Sequence, residues 1–273
     1  MRQTPLTTLQ DRMSRDRFNM GIALAEKRAK EILDDFGLST VADVDLRDLA
    51  FDLGLIVEAR AIRGAEGRLI RRGKRAIAVV DASITQHGKR RFVAAHELGH
   101  YELHADEPVF VCDQAAFLDW HRRRPAETEA NRFAAELLMP RAGFLTDGRA
   151  SPTSFEVIGD LAETRRVSLT AAAFRYVHLD IAPSAIVFSR RGQIEWSVVS
   201  TSLPLQYVGP RRPVHRDSGA GEYFRTGRTS LSPEWTPIES LFLDEYHKRG
   251  DRYLEQCRPM PSYEACLSLI WQG

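Results

Sequence analysis

His96-Glu97-Leu98-Gly99-His100-Tyr101-Glu102-Leu103-His104 is the stretch on which the reading of this chain turns. It follows Phe92-Val93-Ala94-Ala95, so residues 89–104 are expected to form a helix whose apolar interior becomes ionisable within one turn. On a helix, residues i and i+4 share a face and lie about 6 Å apart along the axis. His96 and His100 can therefore aim two imidazole nitrogens at one Zn²⁺, at about 2.0–2.1 Å each. Glu97 lies about 100° round the helix from His96 and about 60° from His100, close enough to take a proton from a water held there without being a ligand. Chance yields on the order of 0.02 such H-E-x-x-H matches in a chain of this composition. The bland reading makes them two core histidines and a surface acid, but three ionisable groups on an apolar helix are costly to desolvate without a metal.

A catalytic zinc needs a third protein ligand. His104 is eight residues from His96, about 12 Å along a continuous helix, so it is expected as a supporting or helix-end residue. Asp106 is a poor candidate, because the longer pattern that would use it requires a glycine where Leu103 stands. A helix over residues 125–139, stopped by Pro140, offers a better source. With Glu127 at 0° and about 100° per residue, Ala130, Phe133, Ala134, Leu137 and Leu138 form an apolar face with Glu127 at its inner edge. Asn131 falls about 40° away, whereas Glu129, Arg132 and Glu136 fall about 140–200° round, on the side expected to face solvent. Phase selects Glu127 over Glu129 and places Asn131 to orient a ligand histidine. The competing reading of Glu127 is a first-turn acid complementing the helix dipole.

Outward from these helices, 273 residues imply about two folded units, at roughly 150 residues each. Hydrophobic residues at 43% and charged residues at 27% exclude wholesale disorder. The net charge of +1 supplies no global field for nucleic acid or an anionic membrane. No apolar run is long enough to span a bilayer and the start carries no apolar signal core, so a cytoplasmic protein is expected. Cys112, Cys257 and Cys266 form no C-x-x-C pair, which argues for free thiols and against a thiolate zinc site.

A first helix is expected over 17–36, with Ala23, Ala25, Ala29, Ile32 and Leu33 at helical spacing and Gly37 as its stop. A second spans 45–53, followed by strands over 55–62 and 67–81 in a small sheet. Residues 105–124 read as a loop, its Trp120 and basic run 121–124 as a solvated turn. Two short helices, 154–163 and 168–177 with Ser168 as N-cap, have a helix-turn-helix outline, and a hairpin follows through 190–193. The boundaries are 1–150, 151–182 and 183–273, in an α+β chain. Ser218-Gly219-Ala220-Gly221 lacks the strand-Gly-Lys-Thr context of a phosphate loop and reads as a structural loop.

Taken together, the segment 96–104 and Glu127-x-x-Ala-Asn-x-Phe-Ala-x-x-Leu-Leu-Met-Pro140 resemble the ImmA/IrrE zinc metallopeptidases, over roughly residues 17–177. The resemblance implies a zincin-like core with a small sheet and an HExxH helix. It implies zinc held by His96, His100 and Glu127, with Glu97 as catalytic base, in agreement with the geometry above. It further implies a cytoplasmic, site-specific endopeptidase that cuts a helix-turn-helix transcriptional repressor and releases stress-response or mobile-element genes. Some relatives carry a sensor-like GAF domain after the helix pair; residues 183–273 are short for one and are left as an α+β unit of open type.

Two other functions stay open. In a DNA-binding regulator, the helix at 168–177 would read bases and the peptidase fold would be a non-catalytic scaffold. With one arginine on that helix and little net charge, direct nucleic-acid binding is not expected. A metallohydrolase of a non-peptide substrate would need the same zinc, water and base. For a peptide substrate, a strand within 67–81 is the expected edge for backbone pairing.

Overall fold

The computed structural model describes residues 9–73, 75–113, 124–203, 212–237 and 252–273, with side chains from residue 16. Among them the chain divides into two units, Met1–Pro140 and Arg141–Gly273.

In the first unit, α1 (Leu9–Asp35) begins earlier than its apolar spacing indicates. It buries Ala25, Ala29, Ile32 and Leu33, leaves Ala23 exposed, and ends where Gly37 takes a φ of +65°. The short α2 (Leu46–Asp52) is capped by the Asp45 carboxylate, which accepts the Arg47 N–H at 2.9 Å. Strands β1 (Leu55–Arg60), β2 (Gly67–Arg72), β3 (Arg75–Asp81) and β4 (Val109–Cys112) form one sheet in the order β1-β3-β2-β4. The β1–β3 pair is parallel, the others antiparallel. Helix α3 (His87–Leu103) lies between this sheet and α4 (Pro125–Leu138), and α1 also packs on α4. Covered on both sides, α3 is buried continuously from Arg91 to His100, which is why its sequence is apolar almost all round. Arg91 tolerates burial by donating to the Val41 and Val44 carbonyls at 2.6 and 2.9 Å.

Strand β4 falls inside the stretch expected to be a loop. Four residues carry little periodic signal, and this strand exists by pairing with β2, from Gly67 opposite Cys112 to Ile70 opposite Val109. Trp120 and residues 121–123 of the basic run lie outside the described residues. The sheet order also moves the free edge: β2 and β3 both have neighbours on two sides, so the strands expected to pair with substrate are interior, and among the described residues β1 and β4 are the edges.

The second unit opens with α5 (Arg141–Gly148), α6 (Phe155–Arg165) and α7 (Leu169–His178). Ser154 and Ser168 cap the last two, accepting the N–H groups of Val157 and Ala171, and Arg166 turns between them with a φ of +51°. These helices belong to the same unit as a five-stranded antiparallel sheet of β5 (Ser184–Arg190), β6 (Gln193–Val199), β7 (Glu234–Pro237), β8 (Arg252–Met260) and β9 (Ala265–Trp271), ordered β6-β5-β9-β8-β7. The expected hairpin joins β5 to β6 through Arg191 and Gly192, both at positive φ, the conformation of a two-residue primed turn. Strand β9 is buried along its whole length and β5 along nearly all of it, which accounts for their near-continuous apolar runs.

The glycine-rich run at 218–221 begins a helix, α8 (Gly219–Thr226), rather than a loop. Ser218 caps it by accepting the Gly221 N–H, and the Gly219 N–H donates to Glu255 Oε2 at 2.8 Å. A buried protein carboxylate thus sits where a phosphate would have to bind. Among the described residues, no helix is long and apolar enough to cross a membrane.

Candidate metal centre

The site is set by how closely α3 and α4 approach. A Cβ on Gly99 would lie 3.0 Å from Phe133 Cδ1 and 3.1 Å from the Ala130 Cα. The glycine between the two histidines therefore lets one helix backbone pass against the other. That passage brings the first turn of α4 to the histidine face of α3. His96 Nε2 and His100 Nε2 stand 3.0 Å apart, and Glu127 Oε2 lies 3.3 Å from the first and 3.6 Å from the second.

The outer nitrogen of each ring is engaged. Asn131 Oδ1 lies 2.9 Å from His96 Nδ1, an acceptor that places the proton there and leaves the Nε2 lone pair facing inward. His104, at the C-terminal end of α3, joins His100 Nδ1 through its own Nδ1 at 3.1 Å, and its Nε2 meets Glu129 Oε2 at 2.9 Å. The Glu129 carboxylate accepts from His104 Nε2–H, so His104 Nδ1 accepts from His100 Nδ1–H, and the His100 Nε2 lone pair also points inward. Two lone pairs 3.0 Å apart, fully buried, repel each other unless a cation lies between them. A tetrahedral ion at about 2.0–2.1 Å from N and O ligands spaces those ligands about 3.3 Å apart, close to the separations here. The residues present therefore fit a metal.

The electrostatics agree with that fit. Burial pushes His100 down to about 3, keeping it neutral. Burial alone would raise the Glu127 carboxyl, but in the metal-free site a proton carried on the Nε2 atom of His100 or His96 would face it and hold it well below the ordinary carboxylate range. Glu97 goes the other way: burial lifts it to about 8, the thiol of Cys112 opposing the shift and the Glu127 charge adding to it. Both Glu97 oxygens are buried, with the Cys112 thiol facing the carboxyl. Space for them exists only because residue 67 is glycine, whose Cβ would fall 2.1 Å from Glu97 Oε1.

The structure thus gathers His96, Glu97, His100, Glu127, Asn131 and His104 in one place. One expectation needs correction. Glu129 and Glu136 do not face solvent: Glu129 bonds His104, and Glu136 is buried. Helix phase defines angles but not neighbours, and α1 covers that side of α4, where the absent Cβ of Gly21 makes room for Glu129. The cysteines are free thiols as expected, but the spacing argument against a thiolate does not reach the placement of Cys112. Cys112 is a free, buried thiol whose ligand atom lies within 4.8 Å of those of His96, His100 and Glu127. Spacing rules for paired cysteines could not find it. The usable signal was alternation in Val109-Phe110-Val111-Cys112, which turns Phe110 and Cys112 to the same inner face. Phe110 stacks on His100 with ring centroids 3.8 Å apart. Tyr101 faces elsewhere, with the Arg71 guanidinium 4.7 Å over its ring.

Comparison with known proteins bears on this segment directly. Residues 65–176, from the start of β2 through most of α7, match the IrrE N-terminal-like domain, a peptidase family. No curated protein sequence matches the chain. Among solved structures, a Mycobacterium tuberculosis transcriptional regulator superposes with a TM-score of 0.61 at 16% identity, covering 94% of this chain and 78% of that one, which is a likeness of fold. The segment that holds the paired histidines, the buried glutamate and the Glu127 helix is thus similar to the IrrE N-terminal-like domain, which supports a place in the ImmA/IrrE family.

Proposed function

We propose that the chain is a zinc-dependent endopeptidase with a zincin-like core in its first unit, acting in the cytoplasm on a protein substrate, specifically a helix-turn-helix repressor whose cleavage releases transcription. The observation that carries the reading is the inward pair of histidine Nε2 atoms, 3.0 Å apart, with a carboxylate oxygen at 3.3 and 3.6 Å. His96, His100 and Glu127 would hold the ion. When bound, zinc supplies a Lewis acid that polarises a carbonyl and makes water acidic near neutral pH.

The chain's own residues supply the rest. Glu97 is next to the ligand histidines and is buried beside the metal-facing nitrogens, so its carboxylate can take a proton from the attacking water and return it to the leaving amine. Asn131 fixes the His96 ring, and the His104–Glu129 pair fixes His100, so neither imidazole must reorient during turnover. Strand β4, a sheet edge among the described residues that ends at Cys112 beside these groups, is the position where an extended peptide could add as a further strand. The repressor as substrate rests on family resemblance.

The reading as a DNA-binding regulator has the named likeness to a transcriptional regulator in its favour. Against it, α7 is mostly buried, its one arginine included, so it offers bases little to meet. Glu97→Gln in the full chain tests the peptidase: folding and bound metal should persist while cleavage of a co-expressed repressor stops. Cleavage at the parental rate would remove Glu97 as base.

A further inference from the structure

We propose that Cys112 supplies a fourth ligand to the resting metal, so that the site is closed by this chain's own thiolate and becomes active only when that sulfur leaves. The inference rests on the metal-site reading above.

Strand β4 is buried at alternate positions, and its two inner side chains serve one histidine pair: Phe110 stacks on His100, and Cys112 continues to the ligand cluster. The thiol is fully buried and within 4.8 Å of all three other ligand atoms. A tetrahedral N–S edge, built from about 2.0–2.1 Å to nitrogen and 2.3 Å to sulfur, is about 3.6 Å. Closure therefore needs a movement of about 1.2 Å at most. An edge strand held by one neighbour can make it more readily than an interior strand.

A second observation points to the same space. Glu97 is fully buried and rests against Gly67, the residue directly opposite Cys112 in the β2–β4 register. The missing side chain of Gly67 thus leaves one pocket shared by the carboxylate, the thiol and the two imidazoles. By contrast, Cys257 and Cys266 lie in a core cluster of the second unit with Ala220. When the sulfur–metal bond forms, the thiol proton passes to solvent. When sulfur leaves and is reprotonated, the fourth position becomes free for the water that Glu97 serves.

The test loads the full chain with Co²⁺ and compares it with Cys112→Ser, with Cys257→Ser as control and Cys112→Ala in case the serine variant fails to fold. The proposal expects one cobalt per chain and a sulfur-to-cobalt charge-transfer band in the near ultraviolet. The band should vanish in Cys112→Ser and persist in Cys257→Ser. Zinc affinity, read by competition with a chromogenic chelator, should weaken at least about tenfold, the low end of what even indirect supporting contacts contribute. One bound cobalt without the band, or equal zinc affinity in the two proteins, would overturn Cys112 as ligand and leave the peptidase reading standing. If the parent binds neither metal, and His96→Ala changes nothing, the underlying reading falls and the proposal with it.

Discussion

Removing the ionisable carboxyl of Glu97 should change how the metal-free protein responds to pH, and the signs can be worked from two buried groups. Glu97 is raised by burial from 4.5 to about 8, and His100 is lowered by burial from 6.5 to about 3. The stability that Glu97 contributes is complete below about pH 4.5 and is lost as the pH rises through about 8. That of His100 is complete above about pH 6.5 and is lost as the pH falls through about 3. Between pH 4.5 and 6.5 the two slopes oppose each other. From pH 6.5 to 8 only Glu97 remains, and at about 1.4 kcal/mol per unit the loss is about 2 kcal/mol. In Glu97→Gln, stability should be flat over that upper range and should rise by about 3 kcal/mol from pH 4.5 to 6.5, where His100 acts alone. The assay is native-state hydrogen exchange of α3 peptides in the presence of chelator, corrected for the intrinsic pH dependence of exchange. It reports on the first unit, whereas Trp196, Trp235 and Trp271 report on the second. Equal slopes for the two proteins between pH 6.5 and 8 would refute the claim that burial holds Glu97 neutral.

Other outcomes follow from the same geometry. Glu127→Gln should weaken zinc retention far more than Glu129→Gln, because one oxygen faces both Nε2 atoms and the other faces His104; metal analysis after dialysis decides, and the reverse order would show the ligand choice to be wrong. Asn131→Ala and His104→Ala should each cost about 10–100-fold in zinc affinity by freeing a ligand ring, measured by chelator competition. Gly99→Ala should cost about 1–3 kcal/mol and lower zinc affinity as well, since the new methyl meets the Ala130 backbone at 3.1–3.2 Å and must push the helices apart; an unchanged melting curve would contradict this. Glu255→Gln should destabilise the second unit, read by tryptophan fluorescence, because its carboxylate accepts from the Gly219 N–H and the Thr236 and Ser268 hydroxyls.

Much of the site was legible because its parts are local. The i, i+4 histidines, the adjacent glutamate and the phase of Glu127 against Asn131 follow from helix geometry, which is the same in any helix. Elements with caps were legible too: Gly37 ends α1, and Ser154 and Ser168 begin α6 and α7. Strand β4 and helix α8 were not, since four residues of strand and a glycine-rich helix carry weak local preference and depend on β2 and Glu255 for their stability.

By itself, then, the sequence determined which residues could share a metal along each helix, because backbone periodicity fixes a side chain's direction relative to its own axis. Only the tertiary structure decided what each direction meets. It turned Glu129 from a surface acid into the partner of His104, made the expected substrate strands interior, and put a solitary cysteine beside the histidines. Those outcomes depend on which elements pack together, and on three glycines, at 21, 67 and 99, whose missing side chains allow the approach.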